Sequence, residues 1–306
     1  MELYKKYRPK TLKDVVGQDV QIKVLENKLK NNTLPHTLLL IGPSGCGKTT
    51  IARILRRELG CGRHDFEEMN AANERGIDPT REIQSRMNAM PLDGKCRVWL
   101  IDESQQLTGP AQSNLLKTLE DTPNHVYFML ATTDPQKLLR TIRTRCMEIT
   151  IQPLRPKQLE ALLKKVLNAE EVEVAEEVLE KIIEHSDGSA RKALVLLDQV
   201  YKLESEEEML DVVRQKSAEV QAIQIARTLF NPKAKWGDVA KILQGLENED
   251  VEQMRWLILS YSNSILKKGG PLSGLAYLII EAFKENFFNS KMAGLTAACY
   301  TIVTGK

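Results

Sequence analysis

Residues 37–50 read TLLLIGPSGCGKTT, and they decide the fold of this chain. Thr37 to Ile41 is an unbroken apolar run between Pro35 and Gly42, as expected of a strand buried on both faces. Gly42 to Thr49 then fits the spacing G-x-x-x-x-G-K-[ST]. Glycines at these places let backbone N–H groups curl around phosphate oxygens, and the helix that follows points its positive end at them. A helical pattern does follow, from Thr50 to Leu59, with Gly60 placed to end it. The reading sets Gly42, Pro43, Ser44, Gly45, Cys46, Gly47, Lys48, Thr49 and Thr50 around a nucleotide polyphosphate. Lys48 is expected on the β- and γ-phosphates, and the Thr49 hydroxyl on magnesium.

Working outward, the first half of the chain alternates strand and helix signals. Arg97 to Ile101 and Val126 to Ala131 are further apolar runs; Phe66 to Met69 is a weaker one. Met147, Ile149 and Ile151 alternate with polar residues, which predicts an edge or half-buried strand. Alternating β and α units imply a parallel sheet covered by helices. After Pro153 the strand signals stop. Leu159, Leu162, Leu163, Val166 and Leu167 share one helical face, and Ala175, Val178, Leu179, Ile182 and Ile183 repeat the spacing. Ala190, Ala193, Leu194 and Leu197 begin a third helix. The acidic run Glu204 to Glu208 marks an expected boundary, and the remainder reads helical, with turns at Asn231-Pro232 and Gly269-Gly270-Pro271. The expectation is an α/β phosphate-loop domain over 1–152 and helical domains over 153–208 and 209–306.

Two acidic residues follow the second apolar run, Asp102 and Glu103. Asp102 stands at the carboxyl end of a strand, where open α/β sheets bind ligands, and there it can hold magnesium. Glu103 can polarise an attacking water. The third run ends at Thr132-Thr133-Asp134, where a hydroxyl can position that water; Thr133 is favoured over Thr132. Ser189 can cap a helix whose first turn carries Arg191. A cation there opposes the helix dipole by ~0.3–1 kcal/mol, which an anionic partner such as the γ-phosphate of ATP would offset. A tolerated surface arginine is the alternative.

The bulk composition excludes several classes. Of the 306 residues, 42% are hydrophobic and 27% charged, ordinary for a globular protein. No apolar run approaches the length needed to span a bilayer, and MELYKKYRPK lacks the apolar stretch of a secretory signal, so an intracellular (cytoplasmic) location is expected. Cys46, Cys61, Cys96, Cys146 and Cys299 are scattered singly, which argues for reduced thiols and against a disulfide framework or a zinc site. Net charge is +2, but residues 1–64 carry +8, 65–152 carry −3, 153–210 carry −6 and 211–306 carry +3. Such asymmetry suits parts that meet different partners.

With these motifs in this order, the chain resembles an AAA+ clamp-loader ATPase subunit. Tyr7-Arg8-Pro9 and Asp14-Val-Val16-Gly-Gln18 resemble the family's N-terminal box, which implies that Arg8, Pro9 and Val16 flank the adenine. Thr144-Arg145-Cys146 resembles its Ser-Arg-Cys signature, whose arginine enters the neighbouring subunit's ATP site; this assigns Arg145 a role in trans. Gly188-Ser-Ala-Arg191 resembles its sensor 2. Leu115 to Glu120 and Ala131 to Leu138 look like bacterial gamma/tau, whereas Asn70 to Asp78 resembles the small subunits of replication factor C. The four-cysteine zinc module of gamma/tau is missing between the phosphate loop and Asp102, and the mixture leads to the expectation of a compact loader such as a phage's.

The resemblance implies an AAA+ domain, a helical lid and an all-α collar that assembles a ring. It implies ATP and magnesium as cofactors, and a sliding clamp, primer–template DNA and other loader subunits as partners. ATP binding would hold the clamp open on DNA and hydrolysis would release it. A helix suggested by Asp78-Pro79-Thr80-Arg81 would track DNA phosphates, with Arg81 and Arg86 as candidates and plain exposed arginines as the alternative. Met87, Met90 and Leu92 are candidates for an apolar docking loop or for core. Rival readings are another AAA+ DNA-repair or fork-maintenance ATPase and a non-catalytic ring subunit.

Overall fold

The computed structural model describes residues 1–203, 205–246 and 251–305, and the side chains at 214–220 lie outside that description. Two compact units divide the chain, Met1–Lys202 and Leu203–Lys306.

The first unit is built on a parallel sheet of β1 (Thr37–Ile41), β2 (Phe66–Asn70), β3 (Arg97–Asp102), β4 (Val126–Thr132) and β5 (Met147–Thr150). The strand order is β2-β3-β4-β1-β5, and every pairing is parallel. Two helices, α1 (Leu3–Lys6) and α2 (Asp19–Lys30), precede β1, and the crossovers between strands are supplied by α3 (Lys48–Glu58), α4 (Ile77–Arg86), α5 (Gly109–Glu120) and α6 (Arg140–Arg143). Successive strand residues point to opposite faces, and here both faces are apolar because both are covered. Leu38, Leu40, Val98, Leu100, Met129 and Ala131 pack against Leu25 of α2 and Ile51, Ile54 and Leu55 of α3. Leu39, Trp99, Ile101, Phe128 and Leu130 pack against Ile83 of α4, Leu115 of α5 and Ile142 of α6. The alternating segment forms β5, bonded only to β1, as an edge strand should be.

Three helices complete this unit: α7 (Pro156–Glu170), α8 (Glu176–His185) and α9 (Ala190–Val200). Their buried residues are those of the periodic pattern, including Leu159, Leu163, Val166, Val178, Ile182, Ala193 and Leu197. Gly188 lies against the segment that follows β5, where the Leu154 N–H donates to the Gly188 carbonyl at 2.9 Å. The short α1 is fastened to α7, because Lys6 Nζ and Tyr7 Oη both donate to Glu170.

The second unit holds α10 (Glu206–Leu229), α11 (Trp236–Gln244), α12 (Val251–Lys268), α13 (Ser273–Phe283) and α14 (Lys291–Thr304). Its core gathers Ile225, Leu229, Val239, Met254, Ile258, Ile279, Phe283, Leu295 and Ile302. Glu204 of the acidic run lies outside the described residues. Glu206, Glu207 and Glu208 form the first turn of α10 behind the Ser205 cap, where negative charge complements the helix dipole. Position 208/209 therefore falls inside a helix, and the chain divides into its two units between Lys202 and Leu203. Among the described residues no helix is long and apolar enough to cross a membrane.

Candidate functional site

The loop between β1 and α3 turns through two glycines in the left-handed region, Gly45 at φ +77° and Gly47 at φ +106°. A side chain at Gly45 would meet Ser189 Oγ at 2.2 Å, so the loop and the start of α9 approach each other as only glycine permits. Gly47 caps α3, and no side chain satisfies the amides there. The first-turn N–H groups of α3 thus face outward as an anion site. Lys48 Nζ donates to the Gly42 and Pro43 carbonyls at 2.8 and 2.9 Å. Burial pulls its pKa below the ordinary lysine value, opposed by the charges of Glu103 and Asp102.

Across from the loop, β3 delivers Asp102. Its Oδ2 accepts from Thr49 Oγ1 at 2.8 Å and its Oδ1 from the Glu103 N–H at 2.9 Å. A hydroxyl and a carboxylate in contact at a sheet's carboxyl edge are the hard oxygen donors that suit magnesium. Glu103 sits at φ +52°, a left-handed backbone that costs a non-glycine residue ~1–3 kcal/mol and belongs typically to functional sites.

These groups line a cavity of about 330 Å³ within the first unit. Of the expected nucleotide-binding residues, Arg8, Pro9, Val16, Ser44, Gly45, Cys46, Gly47, Lys48, Thr49, Thr50 and Arg191 line it; Gly42 and Pro43 stand behind it as the acceptors for Lys48. Asp102 and Glu103 line it as well. Arg191 lies in the first turn of α9 behind the Ser189 cap, and its N–H donates to the Gly45 carbonyl at 3.4 Å. Burial, together with the nearby charges of Arg53 and Arg191, pulls the Arg8 pKa below the usual arginine value. A pocket that crowds cations this way fits a polyanion.

Sequence reasoning missed several residues here, Tyr4 and Gln105 among them. Tyr4 of α1 lines the cavity and stacks its ring 5.9 Å from the Arg191 guanidinium. The Gln105 amide bonds Glu103, Thr132 and Thr133 together. Thr133 is outside the cavity lining but connects to Glu103 through that amide, whereas Thr132 is fully buried.

Three further candidates lie elsewhere. The Arg145 carbonyl accepts from Thr37 Oγ1 at the amino end of β1, and its guanidinium donates to Glu120 and to the Thr141 carbonyl. Thr37 to Gly42 spans roughly 16 Å at the strand rise of about 3.3 Å per residue, so Arg145 starts from the far end of the strand that leads to its own phosphate loop. Arg81 is exposed near Asp78 at 3.4 Å on α4. Arg86 departs from expectation: its guanidinium answers Glu67 at 2.6 Å and Glu82 at 3.0 Å, two carboxylates of its own chain. Met87 is core, while Met90 and Leu92 are 70% and 80% exposed. Among the described residues no group of three or more His, Cys, Asp or Glu side chains is placed to hold a metal ion.

With this geometry in hand, comparison with known proteins is informative. Three family models match: "DNA polymerase III, delta subunit" over residues 64–155, "Rad17 P-loop domain" over 1–90, and "RCF1/5-like, AAA+ ATPase lid domain" over 161–201. The Mycobacterium bovis DNA polymerase III subunit gamma/tau is 36% identical over 223 residues, 65% of this chain and 39% of that protein. The Escherichia coli subunit tau is 37% identical over 218 residues, 64% of this chain and 34% of its own length. The chain thus spans well under half of these longer relatives. The Buchnera aphidicola subunit gamma is 30% identical over 257 residues, 76% of this chain and 70% of that one. In fold, the Thermotoga maritima RuvB Holliday junction branch migration motor superposes with a TM-score of 0.54 at 21% identity, covering 93% of this chain and 88% of that one. The chain belongs to the AAA+ clamp-loader family of DNA polymerase III gamma/tau subunits.

Proposed function

We propose that the chain is an ATP-hydrolysing subunit of a sliding-clamp loader in DNA replication. ATP binding holds the clamp open on primer–template DNA, and hydrolysis releases it. The observation that carries this reading is the convergence on one cavity of Lys48, the Thr49–Asp102 pair, Glu103 and Arg191. A purely structural ring subunit has no use for such an arrangement.

In this reading the first-turn amides of α3 and the Lys48 ammonium bind the β- and γ-phosphates. Thr49 and Asp102 would hold magnesium, which when bound neutralises phosphate charge. Glu103 polarises the water and Thr133 orients it. Arg191 answers the γ-phosphate from the same chain. Arg145 answers the γ-phosphate of the neighbouring subunit, leaving its Glu120 partner to do so. Arg8, Pro9 and Val16 flank the base.

We assign ATP chemistry to the sheet of residues 1–152, the lid to α7–α9 within 153–208, and ring assembly to the helices that follow, where Trp256 is 63% exposed. The partners are a sliding clamp, primer–template DNA and companion loader subunits. Arg81 and the uncapped amides of α4 take the DNA phosphates, with Arg86 left as an internal ion pair. ATP binding and turnover test the core of this reading. Lys48→Ala should lose productive binding, whereas Glu103→Gln should bind ATP and accumulate a stalled, DNA-bound complex. Wild-type turnover by Glu103→Gln would remove the carboxylate from its role.

A further inference from the structure

Glu103 and Thr133 come from different strand ends, and one side chain joins them. Gln105, 8% exposed, follows Glu103 in the one-turn helix Ser104–Gln106. Its Nε2 donates to Glu103 Oε2 at 2.5 Å and to Thr133 Oγ1 at 2.9 Å. Its Oε1 accepts from Thr132 Oγ1 at 2.8 Å and from the Thr133 N–H at 3.4 Å. The orientation of this amide is determined by chemistry. A backbone N–H can only donate and a carboxylate can only accept, so exchanging the two ends would set donor against donor and acceptor against acceptor. Neighbouring Ser104 fixes the turn from beneath, donating to the Ala131 carbonyl at 3.0 Å.

We propose that Gln105 is a positioning residue for ATP hydrolysis, fixing the Glu103 carboxylate relative to the Thr133 hydroxyl so that one water is held between them. This rests on the assignment of Glu103 as the group that polarises that water. Gln105 touches neither nucleotide nor water in this account and acts wholly through Glu103 and Thr133. A charge-assisted hydrogen bond holds the carboxylate in one rotamer. Without it the carboxylate would sample others, and a small misplacement of a reacting group is felt strongly in rate.

The experiment is steady-state ATP turnover by the full chain in its assembled complex, with equilibrium ATP binding measured alongside. Gln105→Leu keeps the volume and removes all of the amide's bonds; kcat should fall by about 10- to 100-fold. KM and ATP affinity should stay within about two-fold, because no group that binds ATP is altered. In the Glu103→Gln background the same substitution should add no further loss, since residues acting as a unit are not additive. A merely structural role would weaken ATP binding or multiply the two losses. Gln105→Glu, which keeps the shape but sets carboxylate against carboxylate, decides by the same readouts should the leucine variant fail to bind ATP. If Glu103→Gln stalls and the Gln105 variants turn over at the wild-type rate, the positioning role is overturned while the role of Glu103 stands. If Glu103→Gln itself turns over normally, both fall.

Discussion

Thr49 and Asp102 are 53 positions apart and in contact at 2.8 Å, so a variant of either tests the magnesium site proposed for the pair. Thr49→Val removes the hydroxyl and keeps the branched shape. It should raise the magnesium concentration for half-maximal turnover by roughly tenfold or more. An unchanged magnesium requirement would take Thr49 out of the metal shell. Gly45 makes a second residue-scale case. Alanine there must adopt a left-handed backbone, at ~1–2 kcal/mol, and it must displace Ser189 Oγ, which accepts from the Lys192 N–H as the cap of α9. Losing that cap costs a further ~0.5–2 kcal/mol. Gly47 also has a positive φ, +106°, but open space around it, so Gly47→Ala should lose only a backbone share. Thermal melts of the two variants compare directly, and equal losses would show that the contact with α9 contributes nothing. At this scale the sequence was legible where a motif demands a particular atom, as at Lys48, Thr49 and Asp102. It was silent at Gln105, because a polar residue after Asp102-Glu103 has no periodicity or spacing to mark it, and its partners lie 27 and 28 residues away.

Among the elements, α4 carries the DNA hypothesis. If Arg81 neutralises one phosphate, Arg81→Ala should weaken binding to all sequences alike and flatten the log–log salt slope by ~0.9. Arg86→Ala should leave the slope unchanged and instead loosen the pairing with Glu67 and Glu82. The reverse pattern would exchange their roles. In α8, burial holds the His185 pKa below its ordinary 6.5. The unfolded chain takes up this proton more readily than the folded one, so the stability tied to neutral His185 is fully present above about pH 6.5 and erodes as pH falls through the lower folded value. Denaturant melts between pH 8 and 5 should show this decline, and His185→Gln should flatten it; parallel slopes would contradict the burial argument. The central strands β1, β3 and β4 were readable because each is apolar on both faces, and α7 to α9 because each keeps one apolar stripe. Four-residue α1 is too short to show a period, and its fastening to Glu170 joins positions 163 and 164 apart. For Arg86 the sequence does not reveal that β2 brings Glu67 beside it.

At the scale of the whole molecule, the role proposed for Arg145 builds one ATP site from two chains. Arg145 starts at the amino end of β1, while its own phosphate loop follows the carboxyl end. An arginine presented to a transferring phosphate contributes ~10³–10⁵ in rate in GTPases, which sets the scale for its loss. Arg145→Ala subunits should bind ATP normally and fail to activate the adjoining site. Mixed with Lys48→Ala subunits, they should recover turnover above either variant alone, because one composite site regains both parts. No recovery in rings shown to be mixed would count against action in trans. The account as a whole stands on coupling between this ATP site and a clamp, which loading onto primed circular DNA measures most directly. With its companion subunits, the wild-type chain should load clamps in an ATP-dependent manner, and Lys48→Ala should load none. Efficient loading by Lys48→Ala complexes, or ATP turnover by the wild type without any loading, would contradict it.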